Sequence, residues 1–354
     1  MTWEYRDNGS RLLMITNIWP DSERPTYGTF VKDTVERIRK QGIACDVLYV
    51  RGYRGKVAYL AGALASLILP VAYPGKYLLV HCHGGETALV ARFFHGAPVL
   101  ASYLGTDLLG AQVGGSARLR VKCWLRSFIL RRHAALMSAT TTKSAEMENL
   151  LTPRARSRNM VIPDGVDYER FQPGNRNEAC TVLGWPVEKL HVLFAGRAEA
   201  PEKRLCLARQ AVASARAQMP EIELHIVTDV SPNQMPLYYV AADCLLHTSA
   251  SEGSPNVVKE ALACDLPVVA TPAGDVVDLL AGVEACEICE AGASALAVAL
   301  VAILRLHRRS NGRERTGNLS IDKIAKKTIE HYRALGFPSD TRDCHDPVRS
   351  VRLM

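Results

Sequence analysis

Residues Ser251 to Cys264 read SEGSPNVVKEALAC and stand between an apolar run at Cys244 to His247 and the next at Val268 to Ala270. Ser254 followed by Pro255 predicts a helix start, because serine is a favoured N-cap and proline fits the first helical position, where its missing N–H costs nothing. The amides of Asn256 and Val257 are then left pointing out of the helix end, where the dipole adds to their attraction for a phosphate. Glu260 lies five residues after Pro255, roughly 7.5 Å along the axis at about 1.5 Å per residue. That is about one ribose away, and an acid so placed can accept both hydroxyls of a ribose diol. Glu252, just before the turn, falls on the other side of the phosphates, where an attached sugar would be. The stretch therefore predicts a strand, a phosphate-binding turn and a helix.

The same alternation runs outward in both directions. Strands are expected at Leu12 to Thr16, Cys45 to Val50, Tyr77 to His81, Val99 to Ser102, Leu136 to Thr140 and Met160 to Ile162, and a helix through Phe30, Val31, Val35 and Ile38. The pattern then restarts at Val192 to Ala195, Glu223 to Val227, Cys244 to His247, Val268 to Ala270 and Cys286 to Cys289. Short apolar runs separated by helices predict parallel sheets covered on both faces. The expected class is α/β, with two Rossmann-like doubly wound domains, residues 1–165 and 166–319, facing across a cleft. Pro163, Gly165, Pro173 and Gly174 mark the boundary. A helix over about 320–336 is expected to pack back on the first domain, and the polar tail 338–354 to be disordered.

A chain of 354 residues, 48% hydrophobic and 22% charged, suits two soluble globular domains. The start MTWEYRDNGSRLLM lacks the basic-then-apolar order of a secretory signal, so a cytoplasmic protein is expected, and its ten cysteines are expected as reduced thiols. The net charge of +7 is unevenly spread. No acidic residue lies between Asp107 and Glu146, while Arg118, Arg120, Lys122, Arg126, Arg131 and Arg132 alternate with Leu119, Val121, Trp124, Leu125, Phe128 and Ile129. That pattern over 116–133 predicts a basic amphipathic helix, either on an anionic membrane surface or as a solvated face above a core stripe. The uncharged run Val57 to Gly75 is interrupted by Gly62, Ser66, Pro70 and Pro74 and is expected as a packed helix rather than a membrane span.

Glu252-Gly253-Ser254-Pro255 followed by Glu260 resembles the E-G-x-P-x4-E signature of retaining family-4 glycosyltransferases, which have the GT-B fold. Gly196-Arg197 with Lys203 is similar to that family's G-R-x-x-x-x-x-K element, with Arg204 where a glycine is usual. Ile162-Pro163-Asp164-Gly165-Val166-Asp167 with Phe171 resembles the interdomain I-P-N-G-V-D segment, Asp164 replacing asparagine. PTYGTF, Pro25 to Phe30, resembles the glycine-bearing loop after the first strand, and Leu104-Gly105-Thr106-Asp107 the H-G-[ST]-D element, with leucine in place of histidine. The matches span most of the chain.

The resemblance implies a retaining, metal-independent hexosyltransferase that uses a nucleotide-sugar donor and no other cofactor. Glu252, Arg197 and Lys203 are then the expected catalytic residues. Donor contacts are expected from these three with Gly28, Gly253, Ser254, Pro255, Asn256, Val257 and Glu260. Thr29, Gly105, Thr106, Asp107 and Asp164 are expected to line the cleft on the acceptor side. As the glycosidic bond breaks, charge grows on the leaving diphosphate, and fixed cations stabilise that state more than the ground state. The expected acceptor is a glycan or lipid-linked glycan of cell-surface polysaccharide assembly, with the protein peripheral at the inner face of the membrane. His81 and His83 are expected to be structural. A sugar-nucleotide epimerase or hydrolase of the same fold, or a non-catalytic sugar-nucleotide-binding subunit, remain as alternatives. Neither G-x-x-x-x-G-K-[ST] nor G-x-G-x-x-G occurs, and no stacking platform accompanies the basic segment, so nucleic acid is not an expected partner.

Overall fold

The computed structural model describes residues 2–5, 11–110, 117–338 and 349–352. They form two compact units, one of residues 1–110, 121–165 and 322–354, the other of residues 111–120 and 166–321. The first holds an eight-stranded sheet of β1 (Thr2–Tyr5), β2 (Arg11–Thr16), β3 (Cys45–Tyr49), β4 (Tyr77–His83), β5 (Val99–Ser102), β6 (Ala139–Thr142), β7 (Asn159–Val161) and β13 (Arg349–Arg352), in the order β13-β1-β3-β2-β4-β5-β6-β7. From β3 to β7 every pairing is parallel, while β1 runs antiparallel to both β3 and β13.

Alternate side chains of a strand point to opposite faces, so a strand buried on both faces reads as a continuous apolar run. In β2, Leu13 and Ile15 pack with Ala65, Leu69, Ala88 and Val90 from the helices Lys56–Ala72 and Gly85–Ala91. Leu12 and Met14 face the other way, against Val31, Val35 and Ile38 of Thr29–Lys40 and Ala325, Ile329 and Tyr332 of Ile321–Ala334. Tyr332 Oη and His81 Nδ1 share a 2.6 Å hydrogen bond, which ties this last helix to β4.

The second unit repeats the plan with five parallel strands, β8 (Leu190–Ala195), β9 (Ile222–Val227), β10 (Cys244–His247), β11 (Val268–Ala270) and β12 (Cys286–Ile288), in the order β12-β11-β10-β8-β9. Leu193, Leu245 and Val268 pack under the helix Asn256–Ala263, and Val192, Phe194, Leu246 and Val269 against Leu205–Ala215 and Ala293–Leu304.

Several sequence expectations change. Leu136 lies in a 3-10 turn, Ala134–Leu136, and the strand expected there begins at Ala139, because the apolar run continues the preceding helix. Within the polar tail 338–354, Arg349–Arg352 is a strand on β1, and residues 339–348 and 353–354 lie outside the described residues. The run from Val57 is a helix packed by one face only. Lys56–Ala72 buries Gly62, Ala65, Ser66 and Leu69 but leaves Leu60, Leu64, Ile68 and Val71 exposed. The basic segment, Ala117–His133, buries only Ser127, Leu130 and His133, so its apolar residues make no core stripe, and Val121 and Trp124 are each 62% exposed. Among the described residues no helix is long and apolar enough to cross a membrane.

At the amino ends of β2, β3 and β4, Arg11 Nε donates to Asp46 Oδ1 over 2.9 Å and Tyr77 Oη donates to Asp46 Oδ2 over 2.9 Å, all three side chains being buried. Removing Arg11 takes from the buried Asp46 its charged partner at 2.9 Å, while Lys76 Nζ at 3.7 Å remains, and weakening such a buried pair is strongly destabilising. The Arg11→Met protein is expected to lose about 3–5 kcal/mol of stability, read as a lower urea midpoint with an unchanged denaturant slope.

Candidate active site

In an open parallel sheet the loops that bind ligands lie beyond the carboxyl ends of the strands, and in the second unit three such loops converge. After β8 the chain passes through Gly196 and Arg197 to a 3-10 turn, Pro201–Lys203. Arg204 then adopts a left-handed backbone, φ +50°, the conformation that a glycine takes most easily. An arginine there costs about 1–2 kcal/mol. Its guanidinium donates to the carbonyls of Thr248 and Ser249 over 2.6 and 2.7 Å and to Thr271 Oγ1 over 3.1 Å. Hydrogen bonds from a charged group contribute about 1.5–3 kcal/mol each, so the three outweigh the backbone penalty. Arg204 thus binds the loop after β8 to those after β10 and β11.

This bracing brings Lys203 Nζ to within 2.5 Å of Glu252 Oε1, on the loop after β10. Burial alone would raise the Glu252 carboxyl, but the Lys203 ammonium, with help from His247, holds it below its ordinary value, so it is a carboxylate. His247 ends β10 with Nε2 3.9 Å from Glu252 Oε1. Burial pushes its pKa down to about 4, so the ring is neutral near pH 7.

The loop after β11 closes on the same place. Gly274 has φ +63°, and a Cβ there would stand 2.8 Å from the Glu252 carbonyl oxygen and 2.9 Å from that of Gly253, so only glycine fits. Asp275 follows, its carboxyl raised to about 6 chiefly by burial, against the opposing pull of Lys259.

The helix itself starts one residue later than expected. Pro255, with φ −72° and ψ 114°, is the N-cap, and its carbonyl accepts from the amides of Val258 and Lys259. Ser254 is therefore outside the helix and caps nothing. The amides of Asn256 and Val257 begin the helix with no acceptor within it, as at any helix start. Four buried atoms around this turn, Ser254 Oγ, Asn256 Oδ1, His247 Nε2 and Asp275 Oδ1, have no hydrogen-bond partner. Such orphans are rare in proteins and call for an explanation; the Ser254 hydroxyl can donate to a ligand, while Asn256 Oδ1 can only accept from one. Glu260, farther along, accepts a 2.7 Å hydrogen bond from Tyr239 Oη, which fixes its rotamer.

Arg197 is not part of this cluster. Its side chain is 72% exposed and lies 3.9 Å from Glu202. Gly28, Thr29, Gly105, Thr106, Asp107 and Asp164 all belong to the first unit. Gly28, at φ +76°, caps the helix that Thr29 begins, and a Cβ there would meet Ile18 at 2.6 Å. Thr106 and Asp107 start a short helix after Gly105. Asp107 is buried, and its oxygens accept from the amides of Gly85, Leu104, Gly105 and Leu108, so it shapes the turn from within. Asp164 pairs with Lys143 Nζ over 2.7 Å. His81 is structural, bonded to Tyr332 and Ser102. His83 differs: it is buried, both ring nitrogens lack partners, and burial lowers its pKa to about 3.

Sequence reasoning missed Lys143, Tyr239, His247, Gly274 and Asp275. Gly274-Asp275 carried a signal, a glycine in the short loop between the strand Val268–Ala270 and the helix Val276–Leu280. The partnership of Tyr239 with Glu260 spans 21 residues and left no mark in the sequence.

Residues 228–305 match the family described as glycosyl transferases group 1. The chain is 27% identical over 243 residues to a D-inositol 3-phosphate glycosyltransferase of Geodermatophilus obscurus, across 57% of this chain and 53% of that protein. It is 26% identical over 335 residues to a Bacillus subtilis protein, TuaC, named as a teichuronic acid biosynthesis glycosyltransferase, across 76% of this chain and 82% of that one. The chain thus spans about half the length of the inositol-phosphate enzyme. Among solved structures, sucrose-phosphate synthase (tll1590) from Thermosynechococcus elongatus superposes with a TM-score of 0.75 at 18% identity, covering 92% of this chain and 99% of that one. Anabaena Alr3699/HepE, in complex with UDP and glucose, gives 0.66 at 14% identity, covering 92% and 100%. The chain has the two-domain GT-B fold.

Asp275 carries a pH signature. Its carboxyl titrates near the ordinary 3.8 when unfolded and at about 6 when folded. The folded state therefore holds the extra proton between about pH 4 and 6, and stability from this group falls as pH rises through that window. The Asp275→Asn protein is expected to be more stable than wild type above pH 6, with the gain shrinking toward pH 4, in denaturation midpoints measured across that range.

Proposed function

We propose that the protein is a retaining glycosyltransferase of the family-4 type that moves a hexosyl unit from a nucleotide sugar to an acceptor hydroxyl. The observation that carries this reading is the helix start at Asn256, whose first amides have no acceptor within the helix, beside a carboxylate held by Lys203. In this proposal the amides of Asn256 and Val257, with Gly253, Ser254 and Pro255, cradle the diphosphate, Glu260 accepts the ribose hydroxyls and Glu252 the sugar hydroxyls. Gly28 contacts the donor phosphate, and Thr29, Gly105, Thr106 and Asp164 the acceptor. Asp107 acts by holding the turn of Leu104 to Leu108. Arg197 turns from solvent onto the diphosphate beside Lys203.

Chemistry then follows a front-face course. The bond from the anomeric carbon to the diphosphate oxygen breaks, the acceptor oxygen bonds to that carbon from the same side, and the acceptor proton passes to the departing diphosphate. Arg197 and Lys203 supply the positive charge that the leaving group needs, with no metal in that role. Removing a group of this kind costs about 10²–10³ in kcat. Arg197→Ala is expected to show such a loss with little change in KM; unimpaired turnover would sink the mechanism.

The proposed acceptor is a glycan or lipid-linked glycan, met at the inner face of the cell membrane. The supporting observation is surface character. The helix Ala117–His133 exposes Val121, Trp124, Leu125, Phe128 and Ile129 among Arg118, Arg120, Lys122 and Arg132, and Lys56–Ala72 exposes a second apolar face. Basic residues near an anionic leaflet contribute about 1 kcal/mol each. Trp124→Ala with Phe128→Ala is expected to cut co-sedimentation with anionic vesicles at least tenfold, while binding to zwitterionic vesicles stays weak for both proteins.

Donor recognition is tested by thermal shift with UDP-glucose first, then GDP-, ADP- and dTDP-sugars. One donor is expected to stabilise the wild type, and Glu260→Ala to weaken its binding at least tenfold, about 1.4 kcal/mol. Silence with every donor would favour the non-catalytic reading.

A further inference from the structure

On the second unit, at a point the proposed chemistry does not use, three ligating side chains meet. His191 of β8 lies opposite Glu223 of β9, and His225 follows two residues along, so all three share one face of the sheet. The candidate ligand atoms lie within 4.8 Å of one another. His191 Nδ1 is 2.9 Å from His225 Nε2, which is 4.0 Å from Glu223 Oε2. β9 is the edge strand of its sheet. His191 is fully buried, whereas the His225 and Glu223 side chains are 19% and 36% exposed, so the cluster opens to solvent on one side.

The ring states follow from the hydrogen bonds. His191 Nε2 lies 2.9 Å from the Pro186 carbonyl oxygen, which can only accept, so Nε2 carries the proton. In the neutral ring Nδ1 is then a bare lone pair aimed at His225. A second nitrogen held by a backbone carbonyl is the arrangement that orients a ligating histidine. Trp185 stacks on the His225 ring at 3.5 Å and 14°, fixing the plane of the second ligand.

We propose that His191 Nδ1, His225 Nε2 and Glu223 bind one divalent ion of the zinc class, with water in the fourth position, clamping the edge strand β9 to β8. Two imidazoles and a carboxylate form a donor set suited to zinc. Zinc–nitrogen bonds of about 2.0–2.1 Å set tetrahedral neighbours about 3.3 Å apart, so the two rings need to part by only a few tenths of an ångström. On binding, the proton on His225 Nε2 moves by way of solvent to Nδ1 of the same ring, and no net proton is released. The site is separate from Lys203, Glu252 and Glu260, so its role is structural.

The test is zinc and cobalt titration of the chelator-stripped full chain. One equivalent is expected to bind saturably, cobalt giving a d–d band without a thiolate charge-transfer band, while the ion quenches Trp185 fluorescence, a change absent from Trp185→Phe. Zinc is expected to raise the thermal midpoint, and His225→Gln to weaken binding at least tenfold and abolish that rise. Glu223→Gln, partly exposed and so a milder change, is expected to lower affinity without altering the metal-free midpoint. No saturable equivalent in the wild type, or equal binding in both variants, overturns the site and leaves a hydrogen-bonded histidine pair.

Discussion

Parallel pairing is the constraint from which the candidate site descends. When β8, β10 and β11 run the same way, the loops that follow them emerge along one edge of the sheet, whatever their sequences. The carbonyl row at the end of β10 then lies within reach of Arg204, and the backbone of Glu252 and Gly253 within reach of Gly274. An arginine held in a left-handed backbone and a glycine without room for a methyl group help to draw those loops together, with hydrogen bonds from Thr248 to Lys203, Thr271 to Ser249 and Ala250 to Glu202. Lys203 meets Glu252 because the loops that carry them are already fastened.

Fastening the loops leaves polar groups in awkward positions. Ser254, Asn256, His247 and Asp275 each keep a buried atom with no partner, and each such atom costs about 1–3 kcal/mol against a satisfied one. A raised carboxyl at Asp275 and a lowered imidazole at His247 are the electrostatic face of the same cost. Packing alone would have removed these groups, since the surrounding core of Leu245, Val258, Leu262 and Val268 is dense and apolar. Of these, the Ser254 hydroxyl can donate to an anion at the helix start, whereas Asn256 Oδ1 and the ionised Asp275 carboxylate only accept and call for a hydroxyl or amide donor. In the first unit His83, buried at the end of β4 with no hydrogen-bond partner, stands in a similar condition, near the Lys143–Asp164 pair.

The outer surface of the first unit shows a different economy. The helices Lys56–Ala72 and Ala117–His133 bury only Gly62, Ala65, Ser66, Leu69, Ser127, Leu130 and His133, and turn leucines, isoleucines, valines and aromatics outward. Soluble monomers seldom leave large contiguous apolar faces in water, and the arginines beside Trp124 and Phe128 give one of these faces a positive rim.

The sequence by itself determined the class of fold. Continuous apolar runs of four to six residues, alternating with helical periodicity, can satisfy both pattern and burial only as covered parallel strands, and the restart after Pro163 to Gly174 announced the second sheet. It also determined which residues share the turn, because Glu252, the glycine and proline after it, and Glu260 are close in sequence and the helix fixes their spacing. Tertiary structure decided what depends on distant partners or on which face a side chain takes. It moved the helix cap from Ser254 to Pro255, gave Arg204 its role, and left Arg197 in solvent. It also joined Tyr239 to Glu260, turned the apolar residues of Ala117–His133 outward, and set His191 beside Glu223 and His225. Local patterns record what a residue does with its near neighbours; strand register and loop packing bring together residues tens of positions apart, and no periodicity in the chain encodes that meeting.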